Sequence, residues 1–328
     1  GRVGTPSTLR RFQSQPSDFS NTTRVSVRIV YYTSAGTGSG HIVLGLSIYN
    51  GLLRSGLGFD YTILTCGGFT ELAGRLGVTV RSIPREDEHQ LSRDTCGQSA
   101  LYSALKELEP DILLVDLSWF TLHHFIDNLP CTKIFLCRML SDEGFTVPLP
   151  GVPLFFDPGQ YDRIFAIEPF ESKIPMERLN PLILRNRDEI LSKEEALVRL
   201  DQLGIRPAPG DERICLFAFN GKPGEFEEIH KMYSYLGEEG HTMIYTTNFR
   251  GGLFPAVDFF NAVDLVICGA GYNAFWEVVH FEKEAIFVPV KRRFEDQRRR
   301  VKTCGEYRFE ENGADQLAEI CRGISSGP

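Results

Sequence analysis

The sequence reads as an α/β protein built from two doubly wound parallel-sheet domains that face a cleft. Three observations predict this. Short β-branched and aromatic runs alternate with helix-length stretches along most of the chain. The alternation comes in two sets, separated by a charged segment at 171–212 that holds Pro175, Pro181, Pro207 and Pro209. In each set one strand runs into a glycine-rich turn that opens a helix, and open parallel sheets bind ligands at such strand ends. The length of 328 residues accommodates about two domains at roughly 150 residues each.

In the first set, residues 25–32 (VSVRIVYY) read as a buried strand, followed by a glycine turn and a helix from His41 to about Leu53. Further strands are expected at 61–65, 78–83, 111–116, 133–138 and 163–167, with a helix at 98–108. In the second set, strands at 213–219, 242–246, 264–268 and 284–290 alternate with helices at 223–236, 273–281 and 294–304, and a charged helix near 193–203 precedes them. The expected organisation is a disordered tail at 1–23, a first domain at 24–185, a second at 186–310, and a helix and tail at 311–328.

Composition narrows the function. With 35 Lys and Arg against 43 Asp and Glu the formal charge is −8, which argues against nucleic acid as a general partner. No apolar run approaches the roughly 20 residues needed to cross a bilayer. The eight cysteines form no CxxC pair and the seven histidines no HExxH, so no metal is expected. Buried free thiols suit a reducing compartment, and the expected location is cytoplasmic.

The chemistry concentrates in two turns. The first, Ser34-Ala35-Gly36-Thr37-Gly38-Ser39-Gly40-His41, follows a strand and opens a helix whose unpaired N–H groups favour an anion or an electron-rich oxygen. It lacks the Gly-Lys-Ser/Thr of a phosphate-binding Walker loop, and His41 stands where a dinucleotide fingerprint needs its third glycine. An imidazole at a helix N-terminus, facing the cleft, suits removal of a proton from a hydroxyl; the competing reading is a histidine that only braces the turn. The second turn, Cys268-Gly269-Ala270-Gly271-Tyr272-Asn273, is a candidate cradle for a diphosphate through the amides of 270–273. Glu277 lies one helical turn beyond Asn273 on the same face, placed to accept hydrogen bonds from vicinal ribose hydroxyls. The loop carrying Asp296 and Gln297 leaves a strand on that side, and its amide and carboxylate suit sugar hydroxyls. Segment 291–302 carries seven basic residues against two acids and reads mostly as a solvated face, with one or two cations left to meet a diphosphate and the rest an anionic membrane surface.

The GTGSGH loop, DLVICGAGYNAFWEV and VPVKRRFEDQ together resemble the GT-B glycosyltransferases, in particular the branch of the bacterial N-acetylglucosaminyltransferase that completes the lipid-linked peptidoglycan precursor. The resemblance spans roughly 25–305. It implies two Rossmann-like domains, a nucleotide-sugar donor (usually UDP-linked) on the second, an acceptor on the first, and inversion at the anomeric carbon without a cofactor. It implies a donor site formed by Gly38, Gly40, Asn220, Gly221, Asn248, Phe249, Phe254, Gly269, Ala270, Gly271, Tyr272, Asn273, Glu277, Asp296 and Gln297. His41 is the implied base. Asp116 and Trp119, which follow a strand at the cleft end, are candidate acceptor contacts for a small molecule, a glycan or a lipid-linked sugar. Two departures stand out: Ala274-Phe275 replaces the family's common Ser or Thr, and Lys283-Glu284 replaces a glycine. A sugar-nucleotide hydrolase or epimerase of the same architecture, and a non-catalytic scaffold subunit, are the competing readings.

Overall fold

A computed structural model describes residues 26–34, 38–85, 92–149, 152–206, 213–292 and 295–326. The tail at 1–23 and loop residues 35–37 lie outside the described residues.

The first sheet has seven strands. In chain order these are β1 (Val27–Thr33), β2 (Phe59–Thr65), β3 (Thr79–Ser82), β4 (Ile112–Asp116), β5 (Thr132–Cys137), β8 (Arg163–Ala166) and β9 (Glu177–Arg178). A short antiparallel hairpin, β6 (Thr146–Val147) and β7 (Leu154–Phe155), sits between β5 and β8. The spatial order is β3-β2-β1-β4-β5-β8-β9, and every neighbouring pair is parallel. Helices α1 (Gly40–Ser55), α2 (Thr70–Arg75) and α3 (Ala100–Leu108) belong to this half. The sheet is winched tight by composition: β1 is β-branched and aromatic, and six of its seven residues are buried. The order reverses between β1 and β4, so the crevice at their carboxyl ends is where a ligand belongs in a doubly wound sheet.

After α4 (Lys193–Gln202), capped by Ser192 and Glu195 in a reciprocal box, the second sheet follows. It contains β10 (Ile214–Ala218), β11 (Thr242–Thr246), β12 (Leu265–Cys268) and β13 (Ala285–Phe287) in the parallel order β11-β10-β12-β13. Its helices are α5 (Pro223–Tyr233), α6 (Tyr235–Glu238), α7 (Tyr272–His280) and α8 (Gln297–Cys304). The expected helix at 223–236 breaks after Tyr233, and the expected strand at 284–290 stops at Phe287. The hairpin, β9 and α2 were not anticipated, because two- to six-residue elements carry too little periodicity to be read.

Helix α9 (Gly313–Ser325) returns to the first sheet and packs on α1. The two helices meet at glycine: a Cβ on Gly51 would stand 2.3 Å from the Ala314 carbonyl oxygen. Arg54 fixes the contact from the rim through Asp315 (2.6 Å) and Glu189 (3.0 Å). All eight cysteines are free, and five of them are buried. No helix among the described residues is long and apolar enough to cross a membrane.

Candidate active site at the seam between the sheets

The two sheets present their carboxyl ends to one another across a seam that polar side chains close. The Tyr272 hydroxyl, at the start of α7, accepts from Leu182 N (2.8 Å) and donates to the Ile167 carbonyl (2.9 Å). Asn273 Nδ2 donates to the Gly40 carbonyl (2.8 Å) at the start of α1. The helix that opens at the second glycine turn therefore rests directly on the helix that opens at the first.

His41 is at the centre of the first wall. Its Nδ1 is 2.5 Å from Asp116 Oδ2, across the β1–β4 reversal. Asp116 is the last residue of β4 and is fully buried. Burial alone would raise its carboxyl. The charge of Arg138 and the contact with His41 overcome that, helped by the Tyr31 hydroxyl 2.6 Å away, and hold the group well below the ordinary carboxylate range. Asp116 is thus an anion inside the protein, and its hydrogen bond with Nδ1 orients the imidazole. The same Tyr31 hydroxyl is 2.8 Å from the His41 carbonyl, which ties the helix start to the strand. The His41 side chain keeps 22% exposure, so its ring is reachable while its partner is not.

Both candidate acceptor contacts change role. Asp116 has no exposed surface to offer an acceptor and acts only through His41. Trp119 is core: its indole N–H donates to the Gly144 carbonyl (3.1 Å), and Phe156 packs edge-on against it. The chain doubles back after β4 in a 3-10 turn, and this turns the indole inward.

On the second wall, the turns after β10 and β12 lie where that sheet reverses order. Gly221 cannot be replaced cheaply, since a Cβ there would meet the Phe219 ring at 2.5 Å and Glu225 Oε2 at 2.7 Å. Asn220 is exposed beside it. Gly269, Ala270 and Gly271 form the tight turn into α7, whose first amides have no partner within the helix. Glu277 is half-buried on the Asn273 face of α7, and its carboxyl makes no side-chain hydrogen bond among the described residues. Desolvation, reinforced by the charge of Asp258 and opposed by Arg185, pushes its carboxyl up to about 8.

That value has a consequence for stability. A carboxyl that ionises near 4.5 when unfolded and near 8 when folded holds more protons in the folded state between those values. Stability from this group is therefore full below about pH 4.5 and is lost as pH rises to 8. Glu277→Gln should melt close to wild type at about pH 4.5 and above wild type at pH 8. Thermal melts of both proteins across that range check it, and curves that stay parallel at all pH values refute it.

Other candidate donor residues are already engaged. Asp296 caps α8 by accepting from Arg299 N (2.9 Å). Gln297 is buried, accepts from Val290 N (2.9 Å) and donates to Glu295 (3.2 Å), while its Nε2 stays beside the second glycine turn, 3.9 Å from where a Cβ on Gly271 would stand. Tyr272 uses its hydroxyl on the first domain, leaving only its backbone for a ligand. Phe254 reaches the seam, with the Arg75 guanidinium of α2 5.9 Å from its ring. Phe249 does not: it packs edge-on against Phe226 of α5 in a separate aromatic cluster. Asn248 has its Oδ1 buried and without a hydrogen-bond partner. A cavity of about 310 Å³ between α5, β11 and the 250–252 turn shares no lining residue with the seam. No group of acidic, His or Cys side chains among the described residues is arranged to hold a metal.

Sequence reasoning missed a buried ion-pair system under the second turn. Arg300, counted there within a mostly solvated basic face, is fully buried. It donates to both oxygens of Glu168, through Nε to Oε2 (2.7 Å) and Nη2 to Oε1 (2.8 Å), and through Nη1 to the Ala270 carbonyl (2.8 Å) and to Glu295. Arg138, at the exit of β5, was missed as well. A basic residue directly after a buried strand was the available signal for it. Arg292 pairs with Glu225 (2.7 Å) rather than facing solvent alone.

The chain matches no family model and no curated protein. It is similar to solved structures of low sequence identity. The spinosyn forosaminyltransferase SpnP aligns with a TM-score of 0.57 at 14% identity, over 92% of this chain and 96% of that one. Phytolacca americana UGT2, complexed with UDP-2-fluoro-glucose and pterostilbene, aligns with a TM-score of 0.51 at 16% identity, over 90% of each chain. Acinetobacter baumannii MurG aligns with a TM-score of 0.50 at 12% identity, over 92% of each chain. With two parallel sheets meeting at their carboxyl ends and near-complete coverage of these structures, the chain has the GT-B fold of glycosyltransferases.

Proposed function

We propose that the protein is an inverting, metal-independent glycosyltransferase that moves a sugar from a nucleoside diphosphate donor, most simply a UDP-sugar, to an acceptor hydroxyl. The observation that carries this is His41: a reachable imidazole at a helix start, with Nδ1 bound to a buried, ionised Asp116. Bound this way the ring keeps its Nε2 lone pair, and a neutral imidazole with an anchored back side is a general base. UGT2, a structure of the same fold, holds a UDP-sugar analogue and a second small molecule together, which supports the same division of labour here.

His41 Nε2 takes the hydroxyl proton as the acceptor oxygen bonds to the anomeric carbon. The bond from that carbon to the diphosphate oxygen breaks with its electron pair, and the nucleoside diphosphate leaves as the anion. The backbone of Gly221, the 269–271 turn and the first amides of α7 meet the charge that develops there. Glu277 accepts from the ribose hydroxyls, and Phe254 lies beside the base.

A thermal-shift screen of UDP, TDP, GDP and ADP with their sugar conjugates tests this. At least one diphosphate nucleoside should raise the melting temperature, by about 2.7 kcal/mol of stabilisation at a hundredfold excess over Kd. Identical melts for every nucleotide would remove the proposal.

A further inference from the structure

We infer that Arg138 is a catalytic residue of the first domain, one that donates hydrogen bonds to the β-phosphate of the departing nucleoside diphosphate. The inference rests on the reading of the seam as a nucleotide-sugar site. It goes beyond that reading by adding a first-wall side chain to a leaving-group cradle otherwise made of second-wall backbone.

The guanidinium touches both walls. Arg138 directly follows β5, and its Nη2 is 3.2 Å from Asp116 Oδ1 and 3.2 Å from His41 Nε2. On the second wall it stands 5.6 Å from the ring of Tyr272, the residue that opens α7 directly after Gly271. The cation therefore sits between the proposed base and the amides proposed to hold the diphosphate. Its donors are also largely unspent. Every hydrogen bond it makes among the described residues runs through Nη2. Nε is buried without a partner and Nη1 has none either, although a guanidinium carries donors on all three nitrogens. A side chain only 11% exposed rarely leaves such donors idle, and oxygen-rich anions are what the planar fork matches.

The other charged groups here are committed elsewhere. Arg300 lies 6.0 Å from the same Tyr272 ring, but it gives its donors to Glu168, Glu295 and the Ala270 carbonyl. Glu295 gives its two oxygens to Arg300 and Gln297, and Asp116 is fully buried. Arg138 is thus the guanidinium of this group with hydrogen bonds left to offer. The chemistry calls for them. As the acceptor oxygen bonds to the anomeric carbon, the bond from that carbon to the β-phosphate oxygen breaks. The electron pair stays on that oxygen, the acceptor proton passes to the base, and the diphosphate gains one negative charge. A fixed guanidinium beside it strengthens its hydrogen bonds as this charge grows, which is the condition for speeding the step and not merely the binding.

The test compares UDP with UMP, and TDP with TMP, by calorimetric titration of the full chain, because each pair differs only in the β-phosphate. Wild type should bind the diphosphate more tightly, and in Arg138→Met that preference should shrink by about tenfold or more. Arg138→Lys keeps a cation against Asp116 and so preserves the fold, but it lacks the fork and should lose most of the preference as well. His41→Ala should retain it, which separates a phosphate contact from general damage to the His41–Asp116–Arg138 cluster. A preference that survives in either arginine variant, or that falls equally in His41→Ala, overturns the inference and leaves the nucleotide reading standing. A wild-type protein that binds none of these diphosphates ends both. Thermal melts confirm that each variant compared is folded, and Arg138→Lys decides the matter where Arg138→Met does not fold. None of these readouts requires a known acceptor.

Discussion

If His41 is the base proposed above, replacing it by alanine is expected to lower turnover by a factor on the order of a hundred to ten thousand while leaving nucleotide affinity within about twofold, because a positioned base contributes in that range and in that role touches only the acceptor hydroxyl. Asp116→Asn should do comparable damage by a different route. An amide at 116 can turn its NH2 toward Nδ1, which then accepts, so the ring proton moves to Nε2 and the lone pair is no longer available to the hydroxyl. It also strips the counter-ion from the largely buried Arg138, so the variant should melt lower than His41→Ala does. Turnover at saturating donor, nucleotide Kd and a melt, measured on both variants, separate these effects. Full turnover in His41→Ala would remove the histidine from the chemistry. A large loss of nucleotide affinity would place it on the donor side instead.

The sequence already contained most of what positions this site. Both sheets, the two glycine turns and the helices they open follow from strand and helix periodicities long enough to read, and His41 stood out as an ionisable residue replacing a glycine. What the sequence could not yield was pairing. Asp116 and Arg138 are 75 and 97 residues from His41, and only the parallel order β1-β4-β5 places the three strand ends side by side. Nothing local distinguishes the Asp116 that anchors an imidazole from one that greets a substrate. Arg300 was misread for a related reason: in a run of three arginines the helix period sends one inward, and without the position of Glu168 the buried one is not identifiable. The partners of Trp119, Asp296 and Gln297 were equally out of reach of the sequence: the indole N–H meets the Gly144 carbonyl, the carboxylate caps a helix and the amide oxygen accepts from Val290 N.

The second large effect concerns the seam. Glu168 takes four hydrogen bonds on its two oxygens, from Met139 N (2.6 Å), Trp276 Nε1 (2.8 Å) and two nitrogens of Arg300. One of those donors is in the first half of the chain and the others in the second, so this single carboxylate joins the exit of β5 to α7 and α8. Glu168→Ala leaves a guanidinium, an indole N–H and an amide buried without their acceptor, and breaking such a pair costs roughly 3–5 kcal/mol. Against a total stability of about 5–15 kcal/mol, that puts the variant near its unfolding threshold at 37 °C. Arg300→Met should cost a similar amount and should also weaken nucleotide binding, since Nη1 holds the Ala270 carbonyl within the 269–271 turn. The double variant Glu168→Leu with Arg300→Met leaves only the partly exposed Glu295 without its cation and should be less destabilised than the sum of the two singles, because the loss in each comes mainly from the fully buried partner left behind. Chemical denaturation of the four proteins measures the coupling. Single variants that cost under about 1 kcal/mol, or costs that simply add, would mean that hydrocarbon packing around Trp276 and Phe275, and not this carboxylate, keeps the two sheets in register.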